Sequence, residues 1–374
     1  MAVTGTITTY GLTEGIYLDF EPMIHQLSPF DVPLQGLNTA EGRTVLSSDT
    51  CFEKKVEWHD EALLTPRSTL AATVTTGGTV LTVASGEQAN FSTGDLLLVN
   101  AEYILVTDYG VTADTLLTTR AISGSADTLA SGEVVMSVGS YLAEGSDPED
   151  ARAVDRTNRY NYTQIFGPHA VQVSGTELAI KKYGLEGTNE FQHQGGQRIK
   201  EMAIAFEQAL LYGVRTEDSN AKKRSMGGFL YYITTNVDSS TTSLTETKLL
   251  DIMQTSFGYG GNVNVLVSGA KQKRVISAFT SSGVIEVMRA DGTAGRKVDV
   301  YESDFGVVAC TLNRWCRLED LFGFNRDQAT VCTLRPLGME MLAKTGDSIK
   351  GQALMEKTLK FRRERHAFRF SALT

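Results

Sequence analysis

A chain of 374 residues is too long for one ordinary hydrophobic core and predicts two or three packing units. Its 41% hydrophobic and 21% charged content is that of an ordinary soluble globular protein, and no apolar run approaches the length of a membrane span. The formal net charge of −9 argues against a dedicated DNA-binding protein, whose phosphate contacts need a basic face. It does not argue against a container that has no need to grip its contents. The opening MAVTGTITTYG lacks the basic start and apolar core of a secretion signal, so a cytoplasm is the expected site of synthesis. Four cysteines (Cys51, Cys310, Cys316 and Cys332) form no Cys-x-x-Cys pair and are expected to be buried thiols rather than metal ligands.

In chain order, Ala2–Leu46 is poor in helical periodicity and rich in Thr, Gly and Pro, which argues against a charged helical domain there. From Val56 to Ile180 there is no lysine, and Thr69–Gly139 is dense in Thr, Val, Gly and Ala. Within it, Thr79–Val83, Asp95–Val99, Glu102–Thr107, Thr115–Thr119 and Glu133–Val138 read as short strands. Gly77-Gly78, Asn100-Ala101 and Ser123-Gly124 supply turns. This pattern predicts a small all-β domain over 68–140, a barrel or sandwich, inserted in a host domain. The alternative is a β-rich half of one larger domain. On either side, Glu53–Leu64 and Asp155–Val173 are expected to pair as two arms of a long β excursion. Asp147, Glu149 and Asp150, with Arg152 and Arg156, read as a solvated connector.

Two further β-like runs and a Tyr183-Gly184 break lead into the longest periodic segment, which Gly213 stops. Ile199, Met202, Phe206, Ala209 and Leu210 recur at spacings of three and four, so one stripe of a helix is apolar. Arg198, Lys200, Glu201 and Glu207 are expected to lie largely off that stripe. From Thr188 to Tyr212 such a helix would extend roughly 35–40 Å. Gly195-Gly196 falls inside the pattern and is either a lead-in to a helix starting at Gln197 or a bend point. Beyond Gly213, Lys248–Gln254 and Ala270–Phe279 read as helices and Val263–Val267 as a buried strand between them. Val298–Tyr301, Gly306–Thr311 and Ala329–Leu334 follow as strands, and Met355–Ala372 begins as one.

These segments together resemble the major capsid proteins of tailed bacteriophages, which share the Hong Kong 97-type fold. The resemblance is carried by Tyr162, Gln164, Ile165 and Phe166; then Val173, Ser174, Gly175 and Thr176, read as a second strand; then Tyr183-Gly184 and the long helix. Pro29–Gly36 with Val56-Glu57-Trp58, Leu334–Leu337, Lys344–Asp347 and Glu356–Leu359 are similar to further parts of that family in the same order. The resemblance implies an α+β Hong Kong 97-like (HK97-like) capsid fold: a spine helix, axial and peripheral domains, and the inserted β domain. By that reading, 1–50 is the N-terminal arm, 51–180 the extended loop region, 181–245 the peripheral domain with the spine helix, 246–335 the axial domain, and 336–374 the return to the peripheral domain.

The function implied is a major capsid protein that self-assembles, as hexamers and pentamers, into the icosahedral head shell around a double-stranded DNA genome. The implied partners are other copies of the chain, a separate scaffolding protein, a portal and a decoration protein. DNA would be enclosed without sequence-specific binding, no membrane is involved, and the product resides in the virion after assembly in the host cytoplasm. Spine helices of this family bend in the precursor shell, which is why a glycine pair inside one draws notice. Some relatives crosslink a lysine of the extended loop to an asparagine. Here only Lys54 and Lys55 stand at the base of that loop, which argues against the reaction.

No catalytic, cofactor-binding or metal site is predicted, and the chain is not expected to be an enzyme. His193 lies near Glu190 and Glu201, but no His-Glu-x-x-His pattern exists and the five histidines are scattered. Gly258, Gly260 and Gly261 precede a strand rather than a helix with Lys-Ser or Lys-Thr, so they read as a turn. Ser174 is not in a Gly-x-Ser-x-Gly elbow. Asn90-Phe91-Ser92 and Asn161-Tyr162-Thr163 match the glycosylation pattern without a signal that would expose them to it. The alternative function is a glycan- or host-binding β module on a tail or decoration protein, which would not need the mixed α/β host. Encapsulin compartments share the implied fold, and the β insert makes that reading less attractive.

Overall fold

The structure is a computed structural model and describes residues 28–35, 46–61, 63–145, 154, 156–182, 189–279 and 300–374. Most of the arm, the Tyr183-Gly184 break and the connector residues 147–152 lie outside the described residues. Two compact units are present: 1–58 with 159–374, and 59–158.

In chain order the larger unit begins with a 3-10 turn at Pro33–Gln35, β1 (Ser47–Thr50) and β2 (Lys55–Glu61), the last leading into the smaller unit. The smaller unit holds β3 (Arg67–Thr69), β4 (Val80–Thr82), β5 (Asp95–Val99), β6 (Glu102–Tyr109), β7 (Thr115–Ser123) and β8 (Val134–Ser140). The chain returns through β9 (Arg156–Tyr162) to β10 (Gln164–Ser174), α1 (Gly175–Ala179) and the long helix α2 (Glu190–Tyr212). Then come β11 (Thr216–Asp218), β12 (Lys223–Ser225), α3 (Phe229–Tyr232), β13 (Val237–Asp238), α4 (Glu246–Gly258), β14 (Val265–Ser268) and α5 (Ala270–Ile276). The last elements are β15 (Val300–Ser303), β16 (Gly306–Leu312), β17 (Leu321–Phe324), β18 (Ala329–Met341), β19 (Ser348–Phe361) and β20 (Phe368–Phe370).

The smaller unit is one sheet in the order β3-β8-β5-β6-β7-β4. A Leu70–Val83 bridge, with Ala71 N donating to Thr82 O at 2.8 Å and Ala84 N to Thr69 O at 2.9 Å, joins its two edges. The sheet therefore closes on itself, which removes the unpaired edges that invite aggregation. Alternation works as in any half-buried strand: in β5, Leu97 and Val99 enter the core while Leu96 and Leu98 face outward. All five sequence-read strands appear within four residues of their expected ends, Asp95–Val99 to the residue, and β3 is a further strand of three residues.

In the larger unit, α2 packs on the four-stranded sheet β1-β18-β19-β10. Asn189 caps its start, accepting from Gln192 N at 2.9 Å. Met202, Phe206, Leu210 and Leu211 are completely buried among Phe166, Met355 and Phe229, each worth about 1.5–3 kcal/mol of apolar transfer. The helix ends at Gly213, where ψ turns to 145° and a Cβ would meet Ala209 O at 2.5 Å and Met226 O at 2.6 Å, so glycine fits the position. The second sheet, β13-β20-β17-β14-β16-β15, carries a separate core under α4 and α5.

Several expectations are corrected. The helix begins at Glu190, so Gly195 and Gly196 lie inside it and are not its lead-in. Val-Ser-Gly-Thr is not wholly strand: Ser174 ends β10 and caps α1, which opens with Gly175. β9 pairs with β2 as expected, but beyond Thr163 the chain pairs with β19 instead, from Gln164↔Lys357 to Ser174↔Ser348. β18 runs past Leu334 to Met341, and β17, a fully buried LFGF strand, was not anticipated.

Candidate functional site

The polar groups that organise the larger unit gather at two junctions, each joining segments far apart in sequence. The first lies where the N-terminal segment meets the C-terminal half of α2. Glu207, expected on the solvent side, is completely buried. Its carboxylate accepts from Leu34 N (2.9 Å), Gln35 Nε2 (3.0 Å) and Asn313 Nδ2 (2.7 Å). Gln35 Nε2 also donates to Ala203 O at 2.7 Å, and Trp315 Nε1 to Asp31 O at 2.7 Å. Tyr212 donates to Asp320 Oδ2 and accepts from Arg317 N, both at 2.8 Å. Arm, helix and the 313–320 loop are thereby fastened to one another.

Burial dominates the electrostatics of this junction. It pushes Glu207 up to about 7 despite the three donors, with Asp31 adding a push in the same direction. It also raises Asp31 against the pull of Arg314, and Asp320 against the hydrogen bond from Tyr212.

The second junction lies where β2 departs and β9 returns. Thr163 N donates to Lys54 O at 2.8 Å. Asn161, completely buried, donates to Leu359 O (2.7 Å) and Gly227 O (3.0 Å) and accepts from Gly227 N (2.8 Å). Every polar atom of that amide faces the interior, so Asn161-Tyr162-Thr163 is a structural element and not a glycan acceptor. Beneath it, buried Glu356 accepts from Thr163 Oγ1 (2.7 Å), Arg335 Nε (2.9 Å) and Arg224 Nη2. Burial alone would raise Glu356, but these donors and the charge of Arg224 hold it below the usual carboxylate range. Lys54 ion-pairs with Glu217 at 3.0 Å on the rim.

The residues weighed for chemistry stay apart. His193 is on α2, and among the described residues no three His, Cys, Asp or Glu are grouped to hold a metal. Gly258 ends α4 and Gly260 and Gly261 lie in the turn that follows, with Gly260 N donating to Phe257 O at 2.8 Å. The four cysteines are free thiols. Among the described residues no helix is long and apolar enough to cross a membrane. Neither Glu207 nor Glu356 was singled out from sequence, since an isolated acid in an amphipathic pattern carries no mark of its distant partner.

The fold, a long capped helix on a four-stranded sheet with a second mixed sheet and a closed β unit, can be set beside solved structures. The chain resembles the capsid of cyanophage P-SCSP1u at 9% identity, with 100% of both chains covered and a TM-score of 0.53. It resembles a structure from Microbacterium phage Oxtober96 at 10% identity, covering 98% of this chain and 99% of that one, with a TM-score of 0.52. An empty GTA particle capsid gives 9% identity, 99% and 100% coverage, and a TM-score of 0.51. No curated protein sequence matches. The class so defined is the tailed-phage major capsid protein of HK97-like fold, a shell-forming structural protein. Residues 2–374 match the family described as SU10 major capsid protein, and the chain belongs to that family.

Proposed function

We propose that this capsid protein builds, as hexamers and pentamers, the icosahedral head shell that encloses the double-stranded DNA genome of a tailed phage. Residues 59–158 are an inserted β domain carried by the extended loop, 246–335 gather at capsomer centres, and the α2 region with the C-terminal strands forms the periphery. The observation that supports this reading is the chain path. It leaves one core through β2 and returns through β9, and the 59–158 unit between them has a core of its own. The second junction fastens the base of that excursion, as a loop that bears load between subunits requires. The N-terminal segment lies on neighbouring copies beyond its tie at Glu207. A separate scaffolding protein, a portal and a decoration protein complete the particle, assembly takes place in the host cytoplasm, and the chain performs no catalysis.

Electron microscopy of the purified chain, alone and with a co-expressed scaffolding protein, tests the reading. Closed shells with local six-fold and five-fold capsomers are expected; a chain that remains monomeric across salt and pH with scaffold present overturns it. Replacing Thr69–Val138 with a short Gly-Ser turn should leave the remainder folded with its helical content intact. Global unfolding of that variant would make the β unit part of the main core.

A further inference from the structure

The acidity of this chain is unevenly distributed. Residues 59–158 hold 14 acidic and 4 basic residues, a net of −10 against −9 for the whole chain. The rest is close to neutral, yet 357–369, KTLKFRRERHAFR, carries six cations and one acid. Two of those cations are drawn inward: Lys357 Nζ lies 5.3 Å from the Phe206 ring centroid, and Arg369 has a buried Nε. The one acid is also removed from the surface. Glu364 is buried and accepts from Thr235 Oγ1 at 2.5 Å and from Thr234 N and Thr235 N at 3.4 Å.

What remains outside is a compact basic bend. Arg363 and Arg365 are exposed, and Lys360 and Arg362 are half-buried, both near enough to Cys332 to act on its thiol. A fifth cation, exposed Arg326, joins them from the turn before β18. Arg362 N donates to Gln328 O at 3.0 Å, and Gln328 Nε2 lies 2.9 Å from His366 Nδ1. The Arg365 guanidinium sits 5.8 Å from the Tyr259 ring centroid, which holds it at the end of α4. Asp327 adjoins Arg326, and Asp49 on β1 lies beside Cys332 with Lys360 and Arg362.

Resting on the reading of the chain as a genome-enclosing shell subunit, we propose that Arg326, Arg362, Arg363 and Arg365 form a contact surface for the phosphate backbone of duplex DNA. Guanidinium groups suit phosphate oxygens, and neutralising backbone charge requires no base sequence. The competing occupant is the acidic 59–158 unit of another copy, in which Asp95, Asp114 and Glu102 are already engaged by Ser92 N at 2.9 Å, Gly86 N at 2.8 Å and Arg120; the experiment below separates the two. The surface is small enough to hold DNA weakly at each subunit and to act through repetition over a shell.

The test is fluorescence anisotropy of a random-sequence 20-base-pair duplex titrated with purified full-length subunit at a series of NaCl concentrations. Wild type should bind with log K falling linearly in log salt, with a slope of about −3 for three to four phosphate contacts. R326Q/R363Q/R365Q should bind at least about tenfold more weakly and with a flatter slope, its thermal unfolding unchanged. R198Q/K200Q, on α2, should bind as wild type does. Absence of salt-dependent binding by wild type, or equal loss in both variants, overturns the proposal. So does a triple variant that keeps its DNA affinity while its shells dissociate, which would assign the bend to a neighbouring subunit. Shell formation, scored separately by microscopy, reports on the capsid reading independently.

Discussion

Glu207 in the long helix accepts the main-chain N–H of Leu34, 173 residues earlier, at 2.9 Å. A completely buried carboxylate thus anchors Leu34 and Gln35 of the N-terminal segment. Replacing it by alanine would strand three donors, on Leu34, Gln35 and Asn313, in the interior, at about 1–3 kcal/mol each if left unpaired. E207A should therefore lower stability by at least about 3 kcal/mol in chemical denaturation. It should also make the bonds on either side of Leu34 susceptible to limited proteolysis. E207Q, which keeps an acceptor, should lose far less.

The same residue predicts a pH dependence of defined sign. Its folded value, about 7, lies above its ordinary 4.5, so between those values the folded protein holds a proton that the unfolded chain has released. Its contribution is complete below about pH 4.5 and is lost as pH rises through 7, on the order of 3 kcal/mol in all. Glu356 behaves oppositely: held low by Thr163, Arg224 and Arg335 against its burial, it contributes above its ordinary value and is lost as pH falls through the folded one. Subtracting the stability-versus-pH curve of E207Q from that of wild type should leave a difference falling from pH 4.5 to 7. E356Q should leave one rising with pH across the acidic range. A flat difference for E207Q would mean that Glu207 is ionised throughout.

How far these features were legible in the sequence depends on whether their cause is local. Asp95–Val99 is legible to the residue because its apolar run Leu96–Val99 is bounded by Gly94 and by the Asn100-Ala101 turn. The end of α2 was equally plain, since Gly213 stands where the apolar stripe stops. Its start, expected near Thr188 and found at Glu190, leaves a second reading from Gln197 open because of Gly195 and Gly196, and the cap at Asn189 with packing further along decides between them. β17 escaped because LFGF is buried on both faces and shows no period. The turn of β10 from the β2–β9 ribbon to β19, the partners of Glu207, and Thr163 and Arg224 beside Glu356 depend on contacts more than 100 residues away. No local pattern encodes them.

In the 59–158 unit, Arg120 and Glu102 form a two-pronged pair, at 2.7 Å from Nε and 2.5 Å from Nη2, with little of either side chain exposed. Arg120 also donates to the carbonyls of Thr75, Gly78 and Asp127, while Glu102 accepts from Ala121 N and Asp127 N. The pair thus fastens the 75–78 turn and the 121–127 loop to β6. Breaking one side leaves the other charge buried, which costs about 3–5 kcal/mol. In calorimetry of the full chain, R120M should lower the transition belonging to this unit by more than about 10 °C, at roughly 4–8 °C per kcal/mol for a unit of this size. The larger unit's transition should stay in place. A shift of both together would show that the two units unfold as one.

The two glycines inside α2 should respond differently to alanine. Gly196 has open space where a Cβ would go, so G196A should stabilise the subunit by about 1 kcal/mol, the ordinary helix-interior difference. At Gly195 a Cβ would lie 2.4 Å from Met339 Sδ and 2.9 Å from its Cε, so the gain is opposed by displacement of that side chain from β18. G195A should therefore be neutral or destabilising alone and recover when combined with M339A, measured as midpoint shifts in urea. If the pair also serves as a bend point during shell maturation, the double glycine variant will assemble yet expand late, scored by microscopy over time. Expansion at the wild-type rate with the expected stability changes would leave Gly195 as a packing contact beneath Met339 and Gly196 without a mechanical role.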